Sequence, residues 1–230
     1  MTIKTFIGKV KRKWIKIRLR PIRVFCLHHV CKHFDAESMN PCDWLELTVF
    51  QAKINDLRNQ GYKFISLTEA YKYLQNDWIR TKKYVVLTFD DGYKTLEEVL
   101  PWLEEQKIPA TLFINGKYLD GKSYRENPNE QYLTFDELFA LNCPYIEIGH
   151  HGWEHTAADE MDEQELLGSL EKNIAILSSH PKYISFWAYT WGRHKKNNDK
   201  VLLSKGIVPV LIEGNKNYKW ISTIDREILK

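Results

Sequence analysis

An α/β fold, a barrel of about seven parallel strands with helices outside, is what this sequence predicts, and three observations predict it. Short apolar runs alternate with helix-like segments along the chain, the pattern of repeated strand–helix units. There are seven or so such units, more in keeping with a closed barrel than an open sheet. The residues able to do chemistry gather where the apolar runs end, and in such barrels the strand C-termini form the working rim.

The strand candidates are 22–28, 63–67, 84–89, 110–114, 145–149, 184–189 and 207–212. Between them, helices are expected at 46–60, ending at Gly61, and at 68–77, opened by Thr68. Further helices are expected at 93–106, at 134–142 behind Thr134, at 162–179, and at 197–205, ending at Gly206. Residues 116–133, GKYLDGKSYRENPNEQYL, read as a long loop at the rim.

The chain has 230 residues, 43% hydrophobic and 27% charged, enough for one substantial core, so residues 24–230 read as a single domain. Residues 1–23 differ: they carry nine Lys and Arg and no acid, so that the net charge of +3 leaves the rest at −6. Ile3, Phe6, Ile7, Val10, Trp14 and Ile17 recur at three- and four-residue steps, so a helix here is amphipathic. Such a helix either lies on an anionic membrane surface or packs on the body of the protein, and both readings stand. Nucleic acid is not an expected partner, because beyond Arg23 there is no basic stripe and no binding module. No apolar stretch with a small-residue cleavage site follows the basic start, so the expected location is cytoplasmic, with peripheral contact at the inner membrane face if the arm binds it. Cys26, Cys31, Cys42 and Cys143 form no CxxC pair and read as reduced thiols, Cys26 as a core residue.

VVLTFDDGYKT, residues 85–95, sets two carboxylates side by side where a buried strand ends. Asp-Gly is common turn chemistry, and by itself the pair reads first as a turn; a cation holding one carboxylate while the other moves protons is the sharper reading, and it requires further ligands elsewhere in the chain. EIGHHGWEH, residues 147–155, supplies His151 and His155 at a spacing of four, which can aim two imidazoles at one point. One Asp and two His leave coordination positions open, as catalytic rather than structural metals require. His28 closes the first strand, and YTWGR follows the strand at 184–189, so all these groups face one rim.

TFDDG (88–92), HGWEH (151–155) and FWAYTWG (186–192) resemble the motifs of the polysaccharide deacetylases, carbohydrate esterase family 4. FCLHHV (25–30) and GYKFISLTEA (61–70) are similar to the N-terminal unit of one branch, so the resemblance runs from about residue 22 onward. It implies a deformed (β/α) barrel in which Asp91, His151 and His155 bind a divalent metal, with Zn²⁺ expected and Co²⁺ or Ni²⁺ also suited. It further implies Asp90 as general base, His28 as general acid and a backbone N–H near Trp191 as an oxyanion donor. The implied reaction is removal of acetyl from N-acetylated sugars in a polysaccharide or glycan precursor, a lipid-linked sugar included. O-acetyl ester or other amide hydrolysis at the same site, or a degenerate carbohydrate-binding scaffold, are the alternatives. The sequence departs from the family pattern at three places. Gly152 stands where Ser or Thr is usual, Thr190 and Trp191 replace Pro and Tyr, and Ala188 replaces an Arg that Arg226, in STIDREI, could supply.

Overall fold

The computed structural model describes residues 20–37, 39–76, 82–122, 129–214, 217 and 222–229. The amphipathic pattern expected before Arg20 lies outside the described residues. Among those described, no helix is long and apolar enough to cross a membrane.

Six strands form the wall in the order β9 (Val208–Leu211), β8 (Tyr183–Ala188), β7 (Ile146–His150), β6 (Ala110–Ile114), β5 (Lys83–Phe89) and β1 (Ile22–Leu27), every pairing parallel. The missing stave is the C-terminal segment. Its first half, β10 (Ile224–Asp225), pairs with β9, and its second half, β11 (Glu227–Ile228), pairs with β1 at the opposite edge. One five-residue stretch thus bridges both edges of the sheet, with Arg226 at the crossing, and the result is a nearly closed, deformed barrel. The expected strand near 63–67 is only β4 (Tyr62–Phe64), which pairs with the start of β5.

The helices α1 (Leu47–Asn59), α3 (Leu96–Glu105), α4 (Phe135–Ala140), α5 (Glu163–Leu177) and α6 (Lys196–Ser204) fall where periodicity places them. Two open with full capping boxes, Thr134 with Glu137 and Asp162 with Glu165, which satisfy backbone N–H groups that a helix start leaves bare. The helix α2 (Leu67–Asn76) has a different job. Its Leu67, Ala70 and Leu74 pack with Ile22, Val24, Val86, Phe113, Phe186 and Val210, the inward-facing set of the strands, so α2 plugs the N-terminal mouth. Glu147 fixes that plug by accepting the N–H groups of Leu67 and Thr68.

The two-residue period of a strand then decides what lies above the plug. Continuing the inward parity upward from Val24 gives Cys26; from Val86 it gives Thr88 and Asp90; from Ile224 it gives Arg226. The alternate set, including Phe25, Leu87, Phe89, Leu112 and Ile148, packs outward on α1 and α3. The barrel interior is therefore apolar at the bottom and polar at the top. Over that top lies a small flap, β2 (His29–Cys31) paired with β3 (Trp44–Glu46), which periodicity does not reveal.

Candidate metal centre and active site

After β5 the chain turns through Asp91 at φ 72° and Gly92 at φ 79°, and Gly92 N–H donates to the Asp90 carbonyl at 2.9 Å. Left-handed backbone costs a non-glycine residue on the order of 1–3 kcal/mol. Four non-glycine residues among those described adopt it, and three of them, Asp91, His155 and Trp191, belong to this rim. The turn sends the two neighbouring carboxylates to different partners.

Asp91 Oδ1 lies 3.3 Å from His151 Nε2 and 3.1 Å from His155 Nε2, with all three side chains buried. His151 Nδ1 is 2.9 Å from the Ala188 carbonyl, which can only accept, so Nδ1 carries a proton and Nε2 is the nitrogen left to ligate. Both Nε2 atoms meet the same carboxylate oxygen. A cation among the three atoms would take a lone pair from each of them at once. Tetrahedral bonds of about 2.0–2.1 Å to Zn²⁺ place neighbouring ligand atoms roughly 3.3 Å apart, matching the observed separations. The donor set thus fits a divalent metal with positions left open.

Asp90 is 1% exposed, and Arg226 grips it with both ends of its guanidinium, Nη1 to Oδ1 at 2.5 Å and Nη2 to Oδ2 at 2.8 Å. Burial pushes the Asp90 carboxyl up; the Arg226 charge, assisted by His151 and by the guanidinium hydrogen bonds, outweighs it and holds the group below its ordinary range. Arg226 is itself anchored, donating to Thr88 Oγ1 at 3.1 Å and to the Leu211 carbonyl at 3.3 Å, with Phe113 under its plane at 5.3 Å. Cys26 donates its S–H to Asp90 Oδ2 at 3.4 Å. Of roughly four lone-pair positions on a carboxylate, these contacts occupy three and leave one.

Each residue singled out in the sequence has a place here. His28 sits beside Asp90, with a ring nitrogen within 4.8 Å of both the carboxylate and Cys26 Sγ, and its Nδ1 is 4.0 Å from Asp43. Trp191 is 58% exposed and stands edge-on to His155, ring centroids 4.7 Å apart. Arg226 occupies the place beside Asp90, while Ala188, where an Arg was missed, contributes its carbonyl instead. His150 and His180 are buried away from the rim. Burial lowers the His150 ring to about 3, so it is neutral, and its Nε2 meets the Tyr183 hydroxyl at 2.9 Å.

Three supports escaped the sequence reading. The Asn115 side-chain amide donates to the carbonyls of His151 and Gly152 at 2.5 and 3.1 Å, and that of Asn173 donates to Gly152 at 2.9 Å. These two amides hold the HGWEH turn where a Ser or Thr hydroxyl is lacking, and Gly152 at φ 82° suits that turn. The third is Cys26. Signals existed: Asn115 ends a strand at the rim, and Asn173 interrupts the apolar stripe Leu166, Leu170, Leu177 of α5.

Beside His155 opens a cleft of about 580 Å³, walled by Tyr93, Tyr118 and Trp191 and edged by Lys117, Glu154 and Glu160. His29, Tyr93, Tyr132 and Tyr118 stack in series along one side, centroids 3.8, 5.2 and 4.9 Å apart. The described ends of the 116–133 segment are thus part of the rim, joined to it by the antiparallel bridge Tyr93–Tyr132.

The family model for polysaccharide deacetylase matches residues 79–210, more than half of the chain. The chain belongs to the polysaccharide deacetylase family. Two solved structures similar to this deacetylase-family chain are IcaB from Ammonifex degensii and the Streptococcus pyogenes deacetylase PplD in complex with acetate. Each superposes with a TM-score of 0.73, at 17% and 18% identity, covering 91% and 92% of this chain and 92% and 93% of theirs. At that identity the likeness speaks for the fold. Among curated proteins, the poly-beta-1,6-N-acetyl-D-glucosamine N-deacetylase of Escherichia coli K12 is 25% identical over 136 residues, 55% of this chain and 20% of that protein. A Bacillus subtilis relative is 27% identical over 117 residues, 50% of this chain and 39% of its own length. The chain thus spans less than half the length of these curated relatives. Neither His28 nor Arg226 lies within the matched 79–210 segment; the fold carries both to Asp90.

Proposed function

We propose that this deacetylase-family chain is a metal-dependent N-deacetylase of acetylated amino sugars within a glycan, such as a β-1,6-linked N-acetylglucosamine polymer or its lipid-linked precursor. The observation that carries the reading is the meeting of two imidazole nitrogens on one oxygen of Asp91, next to a second carboxylate held by an arginine instead. Asp91, His151 and His155 would hold the cation, most simply Zn²⁺. A divalent ion bound there supplies Lewis-acid polarisation of the acetyl carbonyl and brings the pKa of water from 15.7 towards about 7.

The chain's own residues do the rest. Asp90, kept ionised and fixed in direction by Arg226, accepts the proton of the attacking water. The Trp191 N–H, presented by the left-handed turn at the end of β8, donates to the developing oxyanion. His28, with a ring nitrogen within 4.8 Å of Asp90, protonates the departing amine, which is too basic to leave unassisted. The open cleft suits a chain substrate: pyranose rings carry apolar faces that pack on Tyr93, Tyr118 and Trp191, and their hydroxyls meet the polar edge.

Acetate release from β-1,6-linked N-acetylglucosamine oligomers, with and without chelator, tests the reading. Release that is lost with chelator and restored by Zn²⁺ or Co²⁺ supports it; chelator-insensitive release rejects the metal, and no release from any acetylated glycan rejects the activity. Asp91→Ala, His151→Ala and His155→Ala are each expected to fold and to lose stoichiometric metal by elemental analysis. A variant that keeps it identifies a residue that is not a ligand.

His28→Ala is expected to slow amide substrates far more than acetyl esters with good leaving groups, because only the amine needs a proton to depart. Equal losses on both substrate types would assign His28 a binding or structural role.

A further inference from the structure

We propose that Cys26, His28 and Asp90 form a second cation site, suited to thiophilic divalent ions such as Zn²⁺, whose occupation arrests the reaction. Their donor atoms, one sulfur, one ring nitrogen and one carboxylate oxygen, lie within 4.8 Å of one another. Cys26 Sγ and Asp90 Oδ2 are 3.4 Å apart. Tetrahedral bonds of about 2.3 Å to sulfur and 2.0–2.2 Å to oxygen place such a pair roughly 3.6 Å apart, so a small shift seats the ion. Thiolate and imidazole donors together favour Zn²⁺ over Mg²⁺ or Ca²⁺.

A route to the site exists. A separate cavity of about 350 Å³, beneath the β2–β3 flap, is lined by Cys26 and His28 and also by Cys42 and Asp43. Cys42 is exposed and Asp43 is partly so, which gives an arriving cation donors on the way in. The step is a ligand exchange without redox change: the S–H bond breaks, its proton goes to solvent, and the metal–sulfur bond takes its place. Arg226 opposes it, since the guanidinium already holds both oxygens of Asp90. The second site is therefore weaker than the Asp91–His151–His155 set and fills when metal is in excess. Filling it takes the proposed base and the proposed acid together. That inhibitory consequence rests on the function proposed above; the binding does not.

Co²⁺ titration of the metal-free full-length protein separates the two. The first equivalent, bound by nitrogen and oxygen alone, is expected to give no sulfur-to-cobalt charge transfer. The second is expected to bring that near-ultraviolet band, with acetate release falling in step until it is lost. Cys26→Ser and Cys26→Ala are expected to lack the band and to escape the inhibition, each measured against its own rate at one equivalent, whereas Cys42→Ser retains both. His151→Ala/His155→Ala, without the first site, should still develop the band, so an absence of deacetylation leaves the binding readable. No band in the wild type at any excess of Co²⁺ overturns the site, as does a band that survives Cys26 substitution or disappears with Cys42→Ser. A band without a fall in rate overturns the inhibition. Should both Cys26 variants fail to fold, the wild-type and Cys42→Ser titrations still decide.

Discussion

Asp90→Asn is expected to keep its metal and lose its turnover, by about 10²–10⁴ in rate, the range typical of removing a general base. The substitution preserves shape and removes only the ability to take a proton. Metal retention is expected because the carboxylate that meets His151 and His155 is Asp91, while the nearest approach of Asp90 to that set is 3.8 Å, at His151 Nε2. The new amide brings N–H groups against the donors of Arg226, so some stability is lost, and thermal denaturation has to accompany the kinetics. A folded, metal-replete Asp90→Asn enzyme with near-normal kcat rejects Asp90 as the base. Equal loss of metal and turnover would instead make Asp90 a fourth ligand.

The pairing of those two carboxylates was legible before any fold was known, because strand-end position carries information. VVLTFDDG runs off the end of one strand and EIGHHGWEH off the end of another, so the barrel rule alone brings Asp91 near His151 and His155. The helix boundaries were legible for a similar reason: Thr134, Gly61 and Gly206 are local signals that need no tertiary context. What escaped was whatever depends on distant contacts. The closing stave consists of two two-residue strands, too short for any period to register, and it owes its conformation to the two edges it joins. Arg226 was singled out by resemblance, yet nothing in STIDREI says that it crosses the barrel top and meets Asp90. The flap of β2 and β3 escaped likewise, since three-residue strands pair there across a loop. Cys26 read as core, and by burial it is; its contact with Asp90 follows only when β1 and β5 are set in register, Cys26 opposite Thr88. Asn173 is the instructive case, because an amide on an apolar helical stripe should prompt a search for what it binds.

Arg226→Met is expected to destabilise the metal-free protein by about 3–5 kcal/mol at neutral pH, the cost of stripping one partner from a buried ion pair. That corresponds to a drop on the order of 10 °C in Tm for a domain of this size. Met replaces much of the buried volume, so the loss is electrostatic: Asp90, fully enclosed, would keep Cys26 but lose the bidentate charge that balances it. The pH dependence separates this from a packing defect. In the wild type the Asp90 carboxyl is held below its ordinary value, so the pair stabilises fully above the unfolded carboxyl pKa, and that contribution fades as pH falls through the folded one. In Arg226→Met burial is opposed only by the smaller pull of His151 and His28, so the carboxyl rises, the folded state binds the proton more tightly and stability declines as pH rises past the unfolded pKa. The gap in unfolding free energy between the two proteins should therefore be smallest in acid and widen towards neutrality. Denaturant melts across that interval, both proteins in chelator, measure it. A gap that does not change with pH would mean that Arg226 holds the barrel seam by packing and backbone contacts alone. Turnover is the second readout: a base left without its orienting partner and protonated near neutrality should fail even in protein that remains folded, and a metal-replete Arg226→Met enzyme of normal kcat would remove Arg226 from the account of catalysis.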